Sequence, residues 1–161
     1  MSTQEWSVLD AIRIAMEAEQ KAAAFYAEAA PRTGNPVGRG LFLQLVEFER
    51  YHYEMLAALD KSLRDKGAFI KYEGRELPLP EAHATAASQE PSEMSVMQII
   101  TLAIATEREA EDRYTALAQR TTDPDGHAMF RRLAKEEHGH YRILGEVYWN
   151  LNNRRTWNWS E

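Results

Sequence analysis

The sequence predicts an all-α protein, a four-helix bundle made of two antiparallel helical hairpins joined by a long crossover. Two observations carry this expectation. Apolar residues recur near a 3.6-residue period in four stretches, each bounded by helix start and stop residues. A single shift of 88 positions also lays the second half of the chain on the first: Glu19, Glu49 and His52 recur as Glu107, Glu137 and His140. The same shift carries Tyr26 onto Tyr114, Pro36 onto Pro124, Gly38 onto Gly126, Phe42 onto Phe130, Leu45 onto Leu133, Tyr53 onto Tyr141 and Leu56 onto Leu144. Polar and apolar residues stay in register together, as in a duplicated helical hairpin.

The first helix is expected over residues 7–30, which are rich in Ala, Glu, Lys and Met, with Val8, Ile12, Ala15, Met16, Ala22, Phe25 and Tyr26 on one face. Ser7 reads as its N-cap and Pro31 as its stop. A turn leads into a second helix over 37–66, with Gly67 as the C-cap. Ser95, the shifted copy of Ser7, opens the third, over 95–121. Asp123 and Pro124 signal the start of a fourth, over 124–150. Residues 67–93, with Gly74, Pro78, Pro80 and Pro91, are too long for a tight hairpin. A helix of about 26 residues is roughly 39 Å long, and an extended linker at about 3.3 Å per residue spans that distance. If the hairpins are related by a two-fold axis perpendicular to the bundle, the third helix must begin at the end opposite the finish of the second, which requires such a crossover. Residues 151–161 form a tail with Trp157 and Trp159, expected to pack either on the bundle or on a partner. At 161 residues, one domain spanning 1–161 is the expectation.

Composition narrows the chemistry. Without cysteine there is no disulfide framework, thiolate zinc site, iron–sulfur site or thiol nucleophile, so any metal must be held by His and carboxylates. A net charge of -6 and a pI near 5.4 argue against a nucleic-acid surface. Residues 1–8 lack a basic region followed by an apolar stretch, which makes a cytoplasmic location the default. The most apolar run, residues 97–105, is far shorter than the roughly 20 residues a membrane span needs.

On a helix, positions i and i+3 share a face, so Glu49 with His52, and Glu137 with His140, can each turn a carboxylate and an imidazole toward one point. Glu19 and Glu107 each stand thirty residues before one of these pairs. Together they make four carboxylates and two imidazoles: one Glu from each of two helices and a Glu-x-x-His from each of the others, which is the composition of a dinuclear carboxylate centre in a bundle. Carboxylates can bridge two cations and change their mode of binding, while neutral imidazole completes each coordination sphere. Four Glu charges offset two divalent ions. Without metal, the inward carboxylates repel one another and some take up protons. Tyr26 and Tyr114, two turns beyond Glu19 and Glu107, are placed either to hydrogen-bond a ligating carboxylate or simply to pack in the core.

Other polar residues lack this correspondence. Glu47, Glu109, Glu111 and Glu136 are not acidic in both halves and read as solvated helix charges. His138 reads as exposed or as a minor neighbour, and His83, in the linker, and His127, near a turn, as surface residues. The methionines read as packing.

The stretches EQKAAAFY (19–26), EFERYHYEML (47–56), EREAEDRY (107–114) and KEEHGHYRIL (135–144) resemble the rubrerythrin branch of the ferritin-like superfamily. The resemblance covers residues 7–150 and implies a ferritin-like bundle with a carboxylate-bridged di-iron site. It makes Glu49 and Glu137 the bridges, Glu19 and Glu107 the terminal ligands, and His52 and His140 one ligand to each iron. Zinc and manganese are conceivable substitutes for iron. Typical rubrerythrins carry a further glutamate three residues after the Glu of the third helix, where this chain has Ala110, and a cysteine-ligated rubredoxin domain that this cysteine-free chain lacks. The expected function is a di-iron oxidoreductase that reduces peroxide or O2 with ferrous iron in oxidative-stress defence. It would draw electrons from a separate, unidentified donor. The alternatives are a ferroxidase serving iron storage or detoxification, and a non-catalytic metal-binding interaction module. A homodimer or higher homo-oligomer is expected.

Overall fold

The computed structural model describes residues 7–76, 85–86 and 93–160. These residues form α1 (Val8–Arg32), α2 (Pro36–Lys66), α3 (Glu93–Arg120) and α4 (Pro124–Arg154), with two-residue strands β1 (Thr85–Ala86) and β2 (Thr156–Trp157) paired antiparallel. Helix α1 packs along α2 and α3 along α4, giving two hairpins. The caps follow from local chemistry. Ser7 Oγ accepts from the Asp10 N–H at 3.3 Å, Asn35 Oδ1 from Val37 at 2.8 Å, and Asp123 Oδ1 from Gly126 at 3.0 Å, each satisfying an otherwise orphaned donor. Pro36 and Pro124 occupy the first helical position, where no N–H is required. Gly67 ends α2 in the left-handed region at φ 66°.

Three helix ends differ from expectation. Pro31 does not stop α1, which continues to Arg32; in the last turn the missing N–H forfeits only one bond, and Thr33 closes the helix by donating to the Ala30 carbonyl at 3.2 Å. Helix α3 begins at Glu93, so Ser95 lies inside its first turn and is not its cap. Helix α4 runs past Asn150 to Arg154. Asparagine is a weak helix former, but Leu151 is buried, and the Asn150 and Asn153 amides donate back to the carbonyls of Glu146 and Trp149 at 3.0 and 2.9 Å.

The correspondence at 88 positions extends beyond the helices. Arg155, the shifted copy of Gly67, also caps its helix in the left-handed region, at φ 54°. Two residues later stand Phe69 and Trp157, again a shifted pair. A Cβ added to Gly126 would lie 2.5 Å from the Phe69 ring, and one added to Gly38 would lie 2.6 Å from the Trp157 ring. Each hairpin thus ends in a left-handed turn that lays an aromatic ring on the glycine opening the second helix of the other hairpin. The tail therefore packs on its own bundle: Trp157 and Trp159 are both buried, and the Trp157 ring meets Phe42 edge to face at 6.2 Å.

The crossover travels the length of the bundle. Phe69 packs at the start of α4, Tyr72 and Arg75 contact Glu136 partway along it, and β1 joins β2 just beyond its end. Two apolar clusters result, built from corresponding residues. One contains Tyr26, Phe42, Leu45, Ile100 and Leu144; the other contains Tyr114, Phe130, Leu133, Ile12 and Leu56. Among the described residues, no helix is long and apolar enough to cross a membrane.

Removing the Trp157 ring leaves a cavity that the rigid helix ends cannot close. Trp157→Ala should cost about 3–5 kcal/mol, read as a lower urea midpoint. Gly38→Ala should also destabilise, by driving a methyl into the same ring; an unchanged midpoint in both variants would show that the tail does not dock in solution.

Candidate metal centre

Polar groups occupy the layer between the two clusters. Glu19 lies on the buried stripe of α1 with Ile12, Ala15 and Tyr26, so the face that packs the core also delivers this carboxylate. On α2, Glu49 and His52 are one turn apart and both buried; on α4, Glu137 and His140 repeat the arrangement, and α3 supplies Glu107. The six residues predicted from spacing converge into two groups: Glu19, Glu49, His52 and Glu137, and Glu49, Glu107, Glu137 and His140. In each, one donor atom per residue lies within 4.8 Å of the others, all are buried, and each group could hold a metal ion. Glu49 and Glu137 belong to both groups, which is the placement a bridging carboxylate requires. The shift of 88 exchanges the groups.

The donor atoms point at shared space rather than at one another. His52 Nδ1 lies 2.7 Å from Glu137 Oε1, 3.5 Å from Glu19 and 3.9 Å from Glu49. His140 Nδ1 lies 3.5 Å from Glu49 and Glu107 and 3.6 Å from Glu137. Yet both nitrogens, with Glu19 Oε2, Glu49 Oε1, Glu107 Oε2 and both Glu137 oxygens, are buried without an aligned hydrogen bond. Orphaned polar atoms of this kind are costly in an interior. Oxygen and nitrogen donors about 2.1 Å from a common ion would stand at most about 4.2 Å apart, so a small contraction brings these atoms into coordination. The residues fit a pair of divalent ions.

The outer oxygens are held crosswise. Tyr26 Oη donates to Glu107 Oε1 at 2.6 Å, and Tyr114 Oη donates to Glu19 Oε1, so each tyrosine supports the carboxylate of the opposite hairpin. Burial and the adjacent carboxylate charges raise both phenols well above their usual range, keeping them neutral donors.

Without metal, protons must hold the cluster together. Burial, with the charges of Glu137, Glu19 and Glu107, raises Glu49 well above the carboxylate range; burial, Glu107 and Glu19 raise Glu137 to about 8. Burial opposes ionisation of Glu19 and Glu107 too, but the protonated carboxyls of Glu49 and Glu137 beside them and the facing imidazolium charges outweigh it, lowering Glu19 and bringing Glu107 to about 2. Burial likewise opposes charging of the imidazoles, yet the carboxylates raise His52 well above its usual value and His140 to about 9. The metal-free cluster is therefore neutral, with Glu19 and Glu107 anionic against two imidazoliums. Glu49, Glu137, His52 and His140 carry the protons that compensate the absent cations.

Glu136 corrects the sequence reading. Far from solvated, it is buried and accepts from Tyr72 Oη at 2.6 and 3.0 Å and from the Arg75 N–H at 3.1 Å, while its Oε1 lies 3.6 Å from His52 Nε2. Its correspondence partner is Phe48, whose ring packs edge-on against both imidazoles at 4.7 and 4.4 Å. Nothing local marked Glu136, because its partners arrive from the crossover. Glu47 and Glu109 are exposed, and Glu111 pairs with the exposed His138 at 3.1 Å. His127 clasps the Ala118 carbonyl at 2.7 Å, and His83 lies outside the described residues.

Two clefts approach the cluster. One of about 450 Å³, between α1 and α3, reaches all four carboxylates past Ala22 and Ala110. The other, about 550 Å³, is lined by Arg75, Arg132, Lys135 and Arg142 together with Glu76 and Glu136, and has Phe48 and His140 in its wall.

These protonation states set a pH dependence. Glu137 holds its proton in the folded state up to about pH 8 and His140 up to about 9, whereas the unfolded chain releases these protons near 4.5 and 6.5. Their stabilising contribution is thus complete only at low pH and declines as pH rises through those intervals; Glu107 contributes oppositely, its share being lost as pH falls from 4.5 through about 2. The melting temperature of the metal-free protein should therefore fall steadily from pH 5 to pH 9, with a shallower slope in Glu137→Gln. A rise across that interval would contradict the assignment.

Comparison with known proteins agrees with this architecture. The Rubrerythrin family model matches residues 2–60 and 86–158, which contain all six clustered residues. A hypothetical protein from Pyrococcus furiosus has a similar fold, with a TM-score of 0.73 and 23% identity over 95% of each chain. No curated protein sequence matches significantly. The family match spans both hairpins and the cluster between them, and the chain belongs to the rubrerythrin family.

Proposed function

We propose that this protein is a di-iron oxidoreductase, in which Glu19, Glu49, His52 and Glu137 would hold one iron ion and Glu49, Glu107, Glu137 and His140 the other, Glu49 and Glu137 serving both. The observation that carries the proposal is the pair of buried Glu/His groups sharing two carboxylates. When bound, ferrous iron would supply the electrons that reduce H2O2 or O2. The chain's part is to hold and protect that chemistry. Tyr26 and Tyr114 keep Glu107 and Glu19 from rotating away, and the apolar clusters on either side exclude bulk water. The opening between α1 and α3 is large enough for O2 or H2O2, and Ala110 lines it where a further carboxylate would narrow it.

Loading exchanges protons for charge. Near pH 6, two divalent ions would displace the protons on Glu49, Glu137, His52 and His140, leaving four carboxylates against four positive charges. The chain has no cysteine, so re-reduction requires a separate donor. A second reading, iron oxidation for storage or detoxification, would use the same six residues and the same cleft, whose wall carries Glu17 and Glu109 beside Lys21 and Arg113. We also read the two hairpins as copies of one ancestral hairpin, because corresponding residues build the two cores.

Metal-free protein titrated anaerobically with Fe2+ at pH 6 should bind about two ions per chain and release close to four protons. Mixing the loaded protein with H2O2 should then produce ferric absorbance within seconds, and Glu137→Ala should lose at least 100-fold in that rate. Full loading without ferric absorbance from either H2O2 or O2 would count against redox function. Continued consumption of Fe2+ beyond two per chain would favour the storage reading over a peroxidase that returns to its starting state.

A further inference from the structure

The correspondence between the hairpins breaks beside the histidines, and the break is confined to one of them. His52 and His140 both turn Nδ1 toward the carboxylates. Their Nε2 atoms meet different surroundings. His52 Nε2 is buried without a hydrogen-bond partner and has Glu136 Oε1 at 3.6 Å. Among the described residues, no carboxylate lies within 4 Å of His140 Nε2, and that imidazole stands in the wall of the cleft that Glu136 also lines, beyond that distance.

Glu136 is not free to swing away. Tyr72 Oη and the Arg75 N–H both donate to it, and Arg132 Nε lies 3.7 Å from its other oxygen. Tyr72 stacks obliquely near Tyr51 at 6.2 Å, and the Arg75 guanidinium covers the Tyr51 ring at 5.4 Å, so the segment that supplies these donors is itself anchored on α2. Among the described residues, the other half has no such assembly. Phe48 stands where the shift would place a second Glu136, and Ser160, the counterpart of Tyr72, bonds Glu146 instead.

We propose that Glu136 is the positioning residue for His52 and makes the metal position formed by Glu19, Glu49, His52 and Glu137 the tighter of the two. This rests on the metal-binding reading above. A carboxylate that accepts the outer N–H of a ligating imidazole fixes its tautomer and ring plane and raises its basicity, and losing such a partner typically costs 10–100-fold in metal affinity. At 3.6 Å the contact is longer than a hydrogen bond. A ring tilt of a few tenths of an ångström, as Nδ1 moves onto an ion, would close it. The position of His140, with no described carboxylate behind its ring and a cleft beside it, would fill second and release its ion first. One ion would then be resident and the other exchangeable.

The test is calorimetric titration of the metal-free, full-length protein with Zn2+. Wild type should show two steps per chain. Glu136→Gln, which removes the charge at constant size, should weaken the tighter step by about tenfold and move the weaker step by less than twofold. Tyr72→Phe should do the same to a smaller degree, and it carries the test if circular dichroism shows that Glu136→Gln fails to fold. In 113Cd NMR, the loaded wild type should give two resonances, of which Glu136→Gln shifts one. Two indistinguishable steps in wild type, or equal weakening of both steps in the variants, would overturn this inference while leaving metal binding intact. Absence of any Zn2+ or Fe2+ binding by wild type would overturn the metal reading and the inference with it.

Discussion

Four carboxylates and two imidazoles enclosed between two apolar clusters are the constraint on which the rest of this molecule depends. An ionised carboxylate moved into such an interior costs several kcal/mol even after relaxation, and four together repel. The fold tolerates them because every charge has an opposite within the layer: protons on Glu49, Glu137, His52 and His140 when metal is absent, and two cations under the proposed reading when it is present. Tyr26 and Tyr114 tie each terminal carboxylate to the opposite hairpin, so the polar layer also determines how the hairpins dock. Glu49 and Glu137 come from α2 and α4 and must meet, which fixes the relative register of those helices at this level.

That register is held at both ends by a matched device. The chain leaves each hairpin through a left-handed residue, Gly67 or Arg155, and presses Phe69 or Trp157 onto Gly126 or Gly38 of the other hairpin. Only glycine permits so close an approach of ring and helix backbone. With an aromatic wedge at each end and a charged layer midway, sliding one hairpin past the other would bury an unpaired carboxylate and expose an indole ring. Both penalties oppose the same motion, so the site geometry is backed by packing far from it.

The sequence made the four helices and the six clustered residues legible because both obey short, regular spacings. Glu and His three apart must share a helix face, and a Glu on the apolar stripe of α1 must point where Ile12 and Tyr26 point. Comparing the halves also separated Glu137 from its neighbour Glu136, a choice that local spacing left open. What stayed hidden depends on segments without periodicity. Glu136 is buried because the crossover delivers Tyr72 and Arg75 to it, and no rule of helical spacing anticipates the landing point of an irregular strap. The end of α4 lies beyond expectation because Asn150, Asn152 and Asn153 are weak helix formers, whereas the burial of Leu151 carries the helix on to Arg154. The tail was legible in principle: the shift already paired Gly38 with Gly126, and extending it to Phe69 and Trp157 would have docked both rings.

The two straps that close the bundle at its ends are equivalent in their first few residues and then diverge. After Phe69 the crossover must continue along α2 and α4 to reach the far end, so it passes the middle of the bundle, where the histidines are. After Trp157 the tail has no further helix to start within the described residues, and it stays at the end of the bundle, bonded through Asn158 and Ser160 to Asn150 and Glu146. The described part of that connection sets its donors on Glu136, whose Oε1 faces His52. The crossing thus sets Glu136, held by Tyr72 and Arg75, behind His52, while His140 stands in the wall of the cleft that Arg75 and Glu136 also line. Under the proposed reading, the path of the crossover together with the exchange of Glu136 for Phe48 would make two metal positions of matching ligand sets chemically unequal, with no change in the ligands themselves.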